Sequence, residues 1–127
     1  VVSDSPEKKG RITNVNSLNK NESIFDIAPE ALYELQPIIQ NSGTILWNGP
    51  IGFFEKENFA RGTLMIADMI VSSKSFSVLG GGDTIAAAEK AGVIDKIDYV
   101  STAGGAFLEF MEGKKLPAVE ALIDKFN

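Results

Sequence analysis

The 127 residues contain no cysteine and no histidine, and only two arginines, Arg11 and Arg61. Without cysteine there is no disulfide, no thiolate nucleophile and no Cys-based zinc or iron–sulfur site. Without histidine there is no imidazole base, no Ser-His-Asp triad and no histidine-held metal or haem. Carboxylates, lysines, hydroxyls and backbone amides remain, a set that suits phosphoryl transfer, where placement and charge stabilisation matter more than a titrating base. The shortage of arginine and a net charge of −5 argue against a nucleic-acid partner, which calls for a clustered basic footprint. Any bound anion would have to be held by backbone amides. Long hydrophobic runs are missing as well. No stretch reaches the ~18 to 20 apolar residues of a membrane span, and the first residues lack the basic, apolar and small-residue zones of a signal peptide. The expectation is a soluble cytoplasmic protein with no membrane partner.

The composition, 44% hydrophobic and 23% charged, is that of a globular chain with one core. Residues 1–25 read as a polar connection, rich in Ser, Asn and Lys, with one short alternating piece, Arg11 to Val15, that suits an edge strand. Val1-Val2 followed by Ser3-Asp4-Ser5-Pro6 reads as the tail of a strand leaving a sheet, as if the chain were cut from something longer.

Residues 26–127 alternate between helical and short β-prone segments. Pro29 suits a first helical position, and Leu32, Leu35 and Ile39 repeat at helical spacing up to Asn41-Ser42-Gly43. Pro37 inside that pattern predicts a kink or a split. Thr44 to Trp47 reads as a strand with apolar residues on both faces, in which Trp47 belongs to the core or a pocket wall. A helix is expected from about Glu57 to Ser72, a strand at Phe76 to Leu79, and a helix around Ile85 to Ala91. A strand near Tyr99 to Ser101, a helix carrying Phe107, Leu108 and Met111, and a last helix from Pro117 using Val119, Leu122, Ile123 and Phe126 complete the series.

Strand, loop and helix repeated without two-residue hairpins predict an α/β fold, a doubly wound parallel sheet of Rossmann-like three-layer αβα type, truncated on its N-terminal side. The loops after the three strands, Asn48-Gly49-Pro50, Gly80 to Thr84 and Ser101 to Gly105, then lie along the carboxyl edge, where open α/β sheets bind ligands. Gly80-Gly81-Gly82-Asp83-Thr84 enters a helix and can present amides to phosphate with help from the helix dipole. It is neither GxxxxGK[ST] nor GxGxxG. A carboxylate beside phosphates repels them unless a divalent cation intervenes, so Asp83 reads as a Mg²⁺ ligand, direct or through water, and Thr84 as a phosphate contact through its hydroxyl and amide. The alternative is that Asp83 merely caps the helix and the glycines merely turn the chain. Gly104-Gly105 offers a second amide cluster, or else only close helix–strand packing. Asn48 falls in an ordinary turn, and Glu55 is either an acceptor for ribose hydroxyls or a solvated acid near a helix start.

Taken together, Trp47 to Glu55, Gly80 to Thr84, Val100 to Ala106, Leu108-Glu109 and Glu112 to Pro117 closely resemble the C-terminal, nucleotide-binding domain of phosphoglycerate kinase. The resemblance runs from about Asp4 to near the end. It implies a glycolytic kinase that moves a phosphoryl group reversibly between ATP and 3-phosphoglycerate, giving ADP and 1,3-bisphosphoglycerate, with Mg²⁺ on the nucleotide and a full-length monomer. It further implies that Glu55 holds the ribose and Asn48 lines the nucleotide side of the cleft. Gly81, Gly82, Asp83 and Thr84 would hold the phosphates, with Asp83 facing the metal, while Gly104 and Gly105 present amides to the transferring group. Two departures stand out: Ala103 where the family commonly has a first glycine, and Phe107 where a small Ser is common. Alanine is costly at positive φ, so position 103 is expected not to be left-handed. The phosphoglycerate-binding arginines, which the family carries on its N-terminal domain, and the adenine pocket are not in these residues, so the chain is expected to be part of a half-site and inactive alone. The competing reading is a stand-alone anion- or nucleotide-binding α/β module without catalysis.

Overall fold

The computed structural model describes residues 1–126. A two-stranded antiparallel ribbon, β1 (Val2–Ser3) with β2 (Ser23–Ile24), opens the chain. The edge strand expected at Arg11 to Val15 is reduced to one bridge between Arg11 and Val2, and Val15–Ser17 turns as a 3₁₀ helix started by the Asn14 side chain. The segment closes on itself through charge: the Arg11 guanidinium grips Glu22 at 2.6 Å through two nitrogens. That pair holds the Glu22 carboxyl at about 2.

The main sheet is parallel, in the order β3 (Thr44–Asn48), β4 (Phe76–Gly80), β5 (Tyr99–Ser101). Helices α1 (Pro29–Gln40), α2 (Arg61–Val71), α3 (Gly82–Lys90), α4 (Gly104–Met111) and α5 (Pro117–Phe126) alternate with it. Sequential strand order puts both crossovers, α2 and α3, on one face. There Trp47 and Leu79 meet Leu32 of α1, Ile66, Ala67 and Ile70 of α2, and Ala87 and Ala88 of α3 in one buried cluster. Trp47 is a core residue, and its indole N–H is satisfied 2.9 Å from the Gly49 carbonyl.

The opposite face of the sheet is apolar and largely bare. Register and strand alternation put Leu46, Phe76, Val78 and Tyr99 on it, and Leu46, Phe76 and Tyr99 are 43%, 52% and 55% exposed. Among the described residues its carboxyl end is covered where α4 lays Phe107 against Gly80. Helices thus lie on both sides of a parallel sheet, as expected, but unevenly.

Two local expectations change. The helix read from Glu57 to Ser72 is a 3₁₀ turn, Glu57–Phe59, followed by α2 from Arg61. The interruption falls where the buried Asp26 carboxylate reaches across from another segment and accepts the Gly62 N–H at 2.8 Å. Of the kink or split expected at Pro37, the split does not occur, and α1 runs through to Gln40. The missing Pro37 N–H leaves the Tyr33 carbonyl without its helical donor, and Tyr33 is exposed to water that can replace it. Pro29 does sit at the start of α1 and Pro117 at the start of α5. In α5, Val119, Leu122 and Ile123 face solvent, and the Phe126 side chain lies outside the described residues.

Candidate functional site

The three strands end side by side. Asn48 pairs with Gly80 and Gly80 with Ser101, so the three loops that follow are neighbours along one carboxyl edge. Gly81 takes φ +94°, the left-handed region where a side chain is strained, and turns the chain from β4 into α3. Its N–H donates to the Ser101 carbonyl at 3.3 Å, which ties the central loop to the one after β5. A Cβ built on Gly104 would lie 3.7 Å from the Gly81 Cα, so the start of α4 stands against the start of α3.

Neither helix start is capped by a side chain. The first N–H groups of each have no intrahelical acceptor and carry the positive end of the dipole. Asp83 is not the cap; that position is Gly81, and Asp83 is the second residue of the helix, in its first turn, exposed. Close packing does not account for the glycines either. A Cβ on Gly82 or Gly105 would meet nothing within 4 Å, and both have ordinary φ. Gly80 is different. An added Cβ there would come within 2.6 Å of the Phe107 ring and 3.0 Å of the Asn48 Nδ2. Phe107 therefore occupies the space over the end of the central strand, beside the Asn48 amide. Ala103 has φ −86°, as its side chain requires.

The loop after β3 is built the opposite way, with its amides consumed from inside. Gly49 N–H donates to Thr84 Oγ1 at 2.6 Å. Ile51 and Gly52 N–H donate to Thr63 Oγ1 at 3.2 and 3.1 Å. Phe53 N–H donates to the Phe25 carbonyl at 2.7 Å. The Lys90 ammonium donates to the Phe54 carbonyl at 2.6 Å. Such a loop cannot cradle an anion with its backbone; it presents side chains, Asn48 at one end and Glu55 at the other, both exposed. The Thr84 hydroxyl, buried, is also spent inside, since it donates to the Gly80 carbonyl at 2.8 Å while accepting from Gly49. What Thr84 can offer a ligand is its amide.

Asp26 and Thr63 were invisible as site supports in the sequence. Asp26 is wedged between Gly52 and Gly62, where any added Cβ would collide with its carboxylate. Its oxygens accept N–H bonds from Ile27 and Gly62, yet burial outweighs them and raises its pKa. The one sequence signal was its place two residues before Ala28-Pro29, at the start of the helical pattern. Among the described residues no cluster of three or more carboxylates could hold a metal. Asp83 alone fits only a cation that arrives with other ligands, as Mg²⁺ on phosphates does.

The phosphoglycerate kinase family model matches residues 1–114. Among solved structures, phosphoglycerate kinase from Coxiella burnetii is 47% identical with a TM-score of 0.86, over 94% of this chain and 31% of that one. Phosphoglycerate kinase from Pyrococcus horikoshii OT3 is 39% identical with a TM-score of 0.74, over 86% of this chain and 28% of that one. The chain thus spans less than a third of the length of either structure. The matched region takes in all three strand-end loops, and on that agreement of sequence, fold and edge geometry the chain belongs to the phosphoglycerate kinase family.

Proposed function

We propose that the chain forms the phosphate and ribose part of a Mg-nucleotide site. It would serve reversible phosphoryl transfer between ATP and 3-phosphoglycerate when joined to a domain that binds phosphoglycerate, in the cytoplasm. The observation that carries this reading is the pair of uncapped helix starts, with glycines at Gly82 and Gly105 that neither φ nor packing requires. Glycine at such a position gives the unfolded chain more freedom to lose than alanine would. A backbone kept bare despite that fits close approach by a ligand.

In this reading the amides of Gly82, Asp83 and Thr84, turned outward by Gly81, hold the nucleotide phosphates. The Gly104 and Gly105 amides face the transferring phosphoryl group across the gap, supplying fixed donors where charge develops. Asp83 would hold Mg²⁺ together with phosphate oxygens and water, and the ion would offset phosphate charge. Glu55 accepts the ribose hydroxyls, and Asn48 lines the nucleotide side from the end of β3. The acceptor side is not built here: Arg11 is engaged by Glu22, and Arg61 opens α2. The 127 residues alone should therefore bind without turning over. That same absence favours the second reading, a binding module without transfer, and a turnover assay after adding the phosphoglycerate-binding remainder of a family member separates the two.

The direct test is calorimetry of Mg-ADP with this chain, with Asp83→Ala and with Gly82→Ala. Metal-dependent binding that weakens in Asp83→Ala supports the reading. So does loss of binding in a Gly82→Ala protein that is as stable as its parent. A folded chain that ignores Mg-ADP, or binds it equally in all three forms, refutes it.

A further inference from the structure

Lys90 is the last residue of α3, the helix whose first turn is the glycine loop. Nine residues at 1.5 Å each make α3 roughly 13 Å long. From its far end the Lys90 ammonium reaches the Phe54 carbonyl at 2.6 Å. We propose that Lys90 is a positioning residue, which uses α3 as a strut to set the Glu55 carboxylate at a fixed distance from the phosphate amides. The proposal rests on the ribose role given to Glu55 above and extends it to a residue outside the motif loops.

The physical basis is the peptide plane. The Phe54 carbonyl and the Glu55 N–H belong to one planar unit, so fixing that oxygen fixes the plane from which Glu55 projects. The Phe54 side chain belongs to the buried cluster that includes Trp47, which locates the segment but does not itself fix the plane of the next peptide. A charge-assisted bond of this length is among the stronger polar contacts available. The chain meanwhile makes a tight turn, with Phe54 N–H on the Gly52 carbonyl at 2.8 Å and Lys56 N–H on the Phe53 carbonyl at 3.0 Å. The plainer role for Lys90 is to complement the α3 dipole at its C-terminus. That role predicts a different pattern of effects.

The test uses Lys90→Met, which keeps the apolar stem, and Lys90→Arg, which keeps a donor. Amide hydrogen exchange is read first, because it needs no nucleotide. Lys90→Met should speed exchange at least about tenfold at Lys56, whose N–H is held by the Phe53 carbonyl, and leave Ala91 and Gly92 unchanged, with Lys90→Arg close to the parent. Binding of Mg-ADP, Mg-2′,3′-dideoxy-ADP and Mg-pyrophosphate is read second. Lys90→Met should weaken Mg-ADP about three- to tenfold and leave the other two within twofold. Exchange that rises only at Ala91 and Gly92, or nowhere, overturns the positioning role whatever the nucleotide does. Unequal exchange with equal losses for all three ligands overturns the strut. A parent chain that binds Mg-ADP and its dideoxy form equally instead refutes the ribose role of Glu55 itself.

Discussion

Replacing Thr63 by valine tests whether the loop after β3 is held from inside. Thr63 is fully buried, and its single oxygen accepts two N–H groups, from Ile51 and Gly52. Valine matches threonine in shape and removes only that acceptor, so the change creates no cavity but strands two donors. A stranded buried donor costs about 1–3 kcal/mol. Both bonds are long, at 3.2 and 3.1 Å, and their donors are only partly buried, Ile51 being 41% exposed, which favours the bottom of that range and a total of roughly 2 kcal/mol. For 127 residues the unfolding entropy is about 0.27 kcal/mol per kelvin, so Thr63→Val should lower Tm by roughly 7 °C. Thr63→Ser keeps the oxygen and loses one methyl, about 0.8 kcal/mol or some 3 °C. Thermal unfolding by circular dichroism reads both. The reasoning is refuted if serine falls as far as valine, which would make Thr63 a packing residue, or if valine is neutral, which would mean that water or relaxation satisfies the loop.

Gly80→Ala drives a Cβ to within 2.6 Å of the Phe107 ring, so it should cost about 1–3 kcal/mol, and Phe107→Ala in the same protein should recover most of that loss in a double-mutant cycle. Gly105→Ala meets open space and should leave Tm unchanged or raise it, while weakening Mg-ATP more than Mg-ADP if the α4 amides face the transferring phosphoryl group. Asp26 has a raised pKa from burial, so the folded state holds its proton more tightly than the unfolded state. Its contribution is full below the ordinary carboxylate value near 4 and is lost as pH rises through the folded value, so the denaturation midpoint should fall across that window in the parent and stay flat in Asp26→Asn. Glu22 should titrate at about 2 by NMR, and Arg11→Met should raise it toward the usual carboxylate range but not fully, because the guanidinium bond is the largest cause of the shift and the Asn19 N–H bond remains.

The features legible in the sequence were those written in local pattern. Three short β-prone runs, each followed by small residues and then a helical period, were enough for a parallel sheet with its loops on one edge. The negative φ of Ala103 followed from the steric demand of one methyl group. Contacts that join distant segments were not legible. Nothing around Asp26 marks it as the partner of Gly62, 36 residues on, since the signal is a carboxylate facing an N–H and not a spacing. The Glu57 to Ser72 helix was read too long for the same reason: its apolar period is continuous, and the break at Ala60 is imposed from outside. The Thr84 hydroxyl looked available to phosphate because a motif shows which side chain is present and not which hydrogen bonds it has already made.

The bare face of the main sheet makes the chain's stability a matter of linkage. Leu46, Phe76 and Tyr99 leave apolar surface in water on a parallel sheet, an architecture that ordinarily covers both faces. Any molecule that settles there binds the folded form and not the unfolded one, and so shifts the folding equilibrium by mass action in proportion to the logarithm of its concentration. A melting temperature measured for this chain is then incomplete unless the protein concentration and every amphiphile in the buffer are stated with it.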